Sequence, residues 1–115
     1  MKLNRLAVQI GPLTFTVKET RGLRADDGDK LLGQLRYDDQ VIDLEAGQGP
    51  DAKRITLIHE ILHGIFFNAG LRDHDEQLID LVATGFLDLL RQNPHLLPAL
   101  GIPLTSAPLA GAPTE

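Results

Sequence analysis

The chain contains no cysteine. That excludes a disulfide framework and any thiolate metal site, so a metal held by this protein must be held by His, Asp or Glu. It also lacks any apolar run approaching the ~18 residues of a membrane-spanning helix. The opening Met1-Lys2-Leu3-Asn4-Arg5 is not followed by an apolar signal core. Basic residues are in the minority: 11 Lys and Arg against 16 Asp and Glu give a net charge of −5. A surface of that sign argues against electrostatic binding of nucleic acid or of an anionic membrane. These absences predict a soluble, cytoplasmic protein.

What remains is a chain of 115 residues, 43% hydrophobic. That is one small domain with enough apolar material for a core. In so short a chain, a metal tying one helix to another would also contribute to folding.

The segment from Thr56 to Ile65 carries the chemistry, because it contains His59-Glu60-Ile61-Leu62-His63. In an α-helix, residues four apart are about 40° apart around the axis and about 6 Å apart along it. His59 and His63 therefore point the same way and can share one Zn²⁺. Glu60 lies roughly 100° round from His59, too far to be a third ligand beside it but close enough to reach a water on the metal. The neighbours Leu57, Ile58, Ile61, Leu62, Gly64 and Ile65 are uncharged, as a helix under an active site requires. The competing interpretation is a core helix whose polar residues are satisfied by hydrogen bonds, but burying two His and a Glu together without a strong partner is costly.

Around that helix the chain alternates between strand and turn signals. Leu6 to Ile10 and Leu13 to Val17 predict two short strands, or one bent strand, around Gly11-Pro12. The charged stretch from Lys18 to Lys30 predicts a solvated loop, and Asp26-Asp27-Gly28-Asp29 lacks the ligand pattern of a calcium loop. Leu31 to Tyr37 and Val41 to Leu44 predict a hairpin around Asp38-Asp39-Gln40. Asp51 is the expected N-cap of a helix from Ala52 to about Asn68, ended by Ala69-Gly70. Its apolar residues cover most of the circumference, which places it centrally between a sheet and another helix. Gly64 in its interior predicts close approach of a neighbouring element. A second helix runs from about Asp75 to Gln92, with Leu78, Ile79, Leu81, Val82, Phe86, Leu89 and Leu90 as a broad apolar face, and Asn93-Pro94 ends it. His95 reads as a surface residue. Pro-rich sequence beyond Leu96 predicts a single domain over 1–105 and a disordered tail over 106–115.

A catalytic zinc usually takes three protein ligands and keeps one position open. The third must come from outside the first helix, and Asp73, His74, Asp75, Glu76 and Asp80 are within reach in sequence. Glu76 is the best placed, at the start of a helix that must pack on the first. Asp73 or Asp75 and His74 remain alternatives, and Asp73-x-x-Glu76 also fits a capping box. Asp80, one turn beyond Glu76, suits a carboxylate that accepts the free N–H of a zinc-bound His. Tyr37, His74 and Arg72 are equivalent candidates to stabilise an oxyanion.

His59-Glu60-x-x-His63 with uncharged flanks resembles the zincin metallopeptidases. With a following helix that carries Glu76-x-x-x-Asp80, the chain looks like a gluzincin, and within that group is similar to small phage and bacterial members of the ImmA/IrrE-like metallopeptidase family. The resemblance covers roughly residues 33–92. The link between the two helices is shorter than in larger gluzincins. The resemblance implies an α+β fold: a small antiparallel or mixed sheet packed on two main helices. It implies a Zn²⁺ cofactor held by His59, His63 and Glu76, and hydrolysis of a protein or peptide substrate with Glu60 as general base. It further implies an edge strand, supplied by the 31–44 hairpin, that pairs with extended substrate, and a bacterial or phage-encoded cytoplasmic protein. From another class, the same residues fit a metal-stabilised phage or prophage binding module with little or no peptidase activity. Neither hypothesis fixes the oligomeric state.

Overall fold

Gly11 and Pro12 divide the first apolar run into two strands. In the computed structural model, which describes residues 3–103, β1 (Ala7–Ile10) and β2 (Leu13–Thr20) form an antiparallel hairpin with Ile10 opposite Leu13. Gly11 takes the positive φ of 56° that such a short turn favours. A second hairpin joins β3 (Gly33–Arg36) to β4 (Val41–Glu45), with Leu35 opposite Ile42. β2 runs to Thr20, beyond the Val17 expected from its alternation, because Thr16 to Thr20 pair in parallel with Val41 to Glu45. That pairing draws the polar residues Lys18 and Glu19 into the sheet. The strand order is β1-β2-β4-β3, a mixed four-stranded sheet with β3 at one edge.

α1 (Pro50–Asn68) begins earlier than expected. Gly49 is its N-cap and Pro50 occupies the first turn, where a missing N–H costs nothing. Asp51 therefore does not cap; it lies within the first turn and pairs with Arg54 and Arg91. Gly70, at φ 83°, follows the helix end. α2 (Glu76–Gln92) is capped by Asp75, whose carboxylate accepts the Leu78 N–H at 3.1 Å. A one-turn helix, α3 (Leu96–Ala99), follows. The tail assigned to 106–115 lies outside the described residues.

The core forms where one sheet face meets α1. Phe15, Val17, Ile42 and Leu44 are fully buried and cluster with Ile10 and Leu57. α1 packs on β1, β3 and β4 on one side and on α2 on the other, the central position its apolar circumference implies. A Cβ on Gly64 would lie 2.8 Å from Ile10 Cδ1, so this glycine lets α1 settle close to β1. α2 departs from expectation. Only Ile79 and Ala83 are buried, while Leu78, Leu81, Val82, Phe86 and Leu89 stay exposed. The fold is α+β, with the sheet on α1 and α2 on the far side of α1. Among the described residues no helix is long and apolar enough to cross a membrane.

Candidate metal centre

Among the described residues, three buried ones are polar or charged: Asp43, Thr56 and Glu60. Two have structural partners. Asp43 accepts from Arg36 Nε at 2.7 Å, and this contact holds the Arg36 guanidinium above its ordinary pKa. Thr56 bonds to Gln48 and to the Ala52 carbonyl. Glu60 pairs with no Lys or Arg among the described residues, and it sits beside the two histidines.

α1 places His59 and His63 one turn apart with their Nε2 atoms 3.1 Å from each other. Glu76, the first residue of α2, brings Oε2 to 2.9 Å from His59 Nε2 and Oε1 to 3.0 Å from His63 Nε2. Among the described residues, His59, His63 and Glu76 form the group of side chains able to hold a metal ion. Asp75 supplies the helix cap, so Glu76 is not consumed in a capping box with Asp73. Asp73 is exposed and stands outside the cluster.

The outward-facing nitrogens decide whether the inward ones can coordinate. His59 Nδ1 lies 2.6 Å from Asp80 Oδ1. A carboxylate accepts, so with a cation held at Nε2 the His59 Nδ1–H would donate to Asp80. His63 is set by a longer chain of the same kind. His74 Nε2–H donates to the Leu71 carbonyl at 2.6 Å, which leaves His74 Nδ1 as an acceptor for His63 Nδ1–H, also at 2.6 Å. His63 Nε2 is then the nitrogen left facing His59 and Glu76. Burial holds the His63 pKa below its ordinary value, with the nearby His59 and His74 acting in the same direction and Glu76 against them. The neutral form, the one that binds metal, is therefore favoured. The His74 ring lies edge to edge with that of His63, centroids 4.9 Å apart, and is flanked edge-on by Phe66 and Phe67.

Glu60 Oε2 stands 4.0 Å from His59 Nε2, beside the cluster but not in it. Desolvation raises its pKa from 4.5 to about 7; the Glu76 and Asp80 charges add to this, while His59 and a Leu35 hydrogen bond oppose it. A cation bound nearby would pull it down again.

These groups line a cleft of about 610 Å³ walled by β3 through Gly33, Gln34 and Leu35 and by Phe67, Arg72 and His74. A neighbouring cavity of about 400 Å³ shares Leu31, Gly33, His59 and Glu60, so the depression continues along the edge strand past the histidines. Of the three oxyanion candidates, Tyr37 donates its hydroxyl to Asn68 and is absent from the cleft lining, and both His74 nitrogens are engaged. Arg72 lines the cleft.

Two residues have functions that the sequence reading missed. His74, by position a candidate ligand or oxyanion donor, instead bridges His63 Nδ1 and the Leu71 carbonyl; residue spacing cannot show which imidazole nitrogen faces which neighbour. Gly33 carries a signal that was available, since glycine inside a strand marks close approach of another element. A Cβ there would meet Thr56 Cγ2 at 2.5 Å and Glu60 Oε2 at 3.1 Å.

No family model matches the chain, and the searches of curated proteins and of solved structures found no match.

Proposed function

We propose that this protein is a zinc-dependent metallopeptidase of minimal gluzincin type that cleaves a protein or peptide substrate. The observation that carries the reading is Glu60: a buried carboxylate beside a three-residue cluster able to hold a metal, yet outside it. A structural site has no need of that group. Two imidazoles and a carboxylate suit zinc among the divalent ions, and three protein ligands leave a position open. When bound, zinc supplies the Lewis acidity that polarises a carbonyl and makes water nucleophilic at neutral pH. Glu60 takes a proton from the attacking water and passes it to the leaving amine, a task for a buried carboxylate that the neighbouring cation would hold ionised. Arg72 is the remaining donor for the oxyanion. Among the described residues β3 pairs as a strand only with β4, so apart from the Leu35 N–H, which Glu60 accepts, its outer edge offers main-chain partners to an extended substrate lying in the cleft.

One observation favours a second reading. The Glu76 side chain is 66% exposed, so zinc there would pin α2 to α1 at the surface, as in a metal-stabilised binding module. Zinc-loaded wild type and Glu60→Gln, incubated with an unfolded protein and followed by mass spectrometry of fragments, separate the two. The peptidase reading expects cleavage by wild type and a loss of at least about 10²-fold in the variant. Equal zinc binding with no cleavage by either supports the module.

A further inference from the structure

α2 carries two apolar stripes, and the fold uses one. Ile79, Ala83, Leu87 and Leu90 are buried or half-buried. The second stripe is Leu78, Leu81, Val82, Gly85, Phe86 and Leu89. Its large side chains are exposed, from 38% at Val82 to 70% at Leu81. At about 100° per residue the second stripe spans roughly 140° of the helix. Between Glu76 and Gln92 no charged residue falls within that arc. A helix at the surface of a monomer needs only about 100° of apolar face, so α2 has a surplus that its own chain, over the described residues, does not cover.

We infer that this stripe is a docking surface for a second copy of the same chain, with the two α2 helices antiparallel across a two-fold axis. The pattern of the stripe identifies the occupant. It is symmetric about the point midway between Ala83 and Thr84: in an antiparallel pair Leu78 of one copy meets Leu89 of the other, Leu81 meets Phe86 and Val82 meets Gly85. An isologous contact demands this self-complementarity. Gly85 lies near the middle of the stripe, and a Cβ there would meet nothing within 4 Å among the described residues. Its smallness answers no packing need among those residues, and it permits close approach of a partner helix. The antiparallel arrangement also opposes the two helix dipoles. The exposed apolar side chains offer roughly 400–500 Å², a patch of functional size. With polar flanks included, the area reaches about 600 Å² per partner, the lower end for a specific pair. The dimer is accordingly weak, in the micromolar range. Each copy carries a net charge of −5, so added salt, which screens the repulsion, strengthens the association.

Sedimentation velocity on the full chain, from low micromolar to several hundred micromolar, tests the inference. Wild type is expected to shift from one chain to two. Leu81→Lys, at the most exposed position, should weaken association at least about tenfold with an unchanged circular dichroism spectrum. Leu78→Lys and Leu89→Glu should each weaken it alone, and an equimolar mixture should recover it, because the mixed pair places Lys against Glu at one contact and keeps Leu against Leu at the other. A wild type that remains monomeric throughout overturns the inference; if Leu104→Lys or Leu109→Lys then uncovers a site for an apolar dye, the occupant is the chain's own tail. A mixture no stronger than its components overturns the antiparallel pairing.

Discussion

The two histidines can take a cation only through nitrogens that carry no proton, and their hydrogen-bond partners decide which nitrogens those are. Asp80 does this for His59, and His74, itself fixed by the Leu71 carbonyl, does it for His63. His74→Leu leaves His63 Nδ1 without its acceptor, so zinc affinity measured by competition with a chelating dye should fall about 10–100-fold. His74→Gln, whose amide oxygen can accept, should recover part of the loss. Unchanged affinity in the Leu variant would mean that His74 merely fills space. Glu60 offers a test in the zinc-free protein. Burial raises its pKa from 4.5 to about 7, so the folded state holds the proton more tightly than the unfolded one. The stability this contributes is fully present below pH 4.5 and is lost as pH rises through 7. Glu60→Gln has no charge to desolvate. Its urea-melt stability relative to wild type should therefore improve by about 2 kcal/mol between pH 5 and pH 8; a constant difference would contradict the burial account.

Elements place these residues, and the closest fit lies between α1 and β3. Gly33 lets Thr56 and Glu60 lie against the edge strand. In Gly33→Ala the new methyl meets a β-branched side chain and the Asp43 backbone carbonyl, neither of which can readily move. A loss of about 1–3 kcal/mol in thermal or chemical denaturation is expected, together with reduced hydrolysis, on the peptidase proposal, as Glu60 is displaced. A variant as stable as wild type would show that the approach is looser than described. The elements were largely legible in the sequence because their signals are local: β-type residues around Asp38-Asp39-Gln40, the Gly70 stop after α1, and the four-residue spacing of His59 and His63. The boundaries that moved were set by distant partners or by competing local signals. β2 was lengthened by its parallel pairing with β4. Pro50 moved the cap of α1 to Gly49, and Asp75 capped α2 and left Glu76 free.

At the scale of the molecule, the sheet and α1 form the core, and α2 is attached through Ile79, Ala83, Leu87 and Leu90, the Arg91–Asp51 ion pair and the site residues at its start. The broad apolar face of α2 could be read from the sequence, but the part the chain would leave uncovered could not, since periodicity does not say how many neighbours a helix has. A cation shared by His59, His63 and Glu76 would join α2 to α1, so chelation should lower the melting temperature; zinc at 100 times its dissociation constant adds about 2.7 kcal/mol by linkage. Zinc content of protein prepared without chelator, measured for wild type, Glu76→Ala and Glu60→Gln, tests the central claim most directly. One zinc per chain in wild type and in Glu60→Gln, and none in Glu76→Ala, is the predicted result. A wild type that carries no zinc and cannot take it up would contradict it.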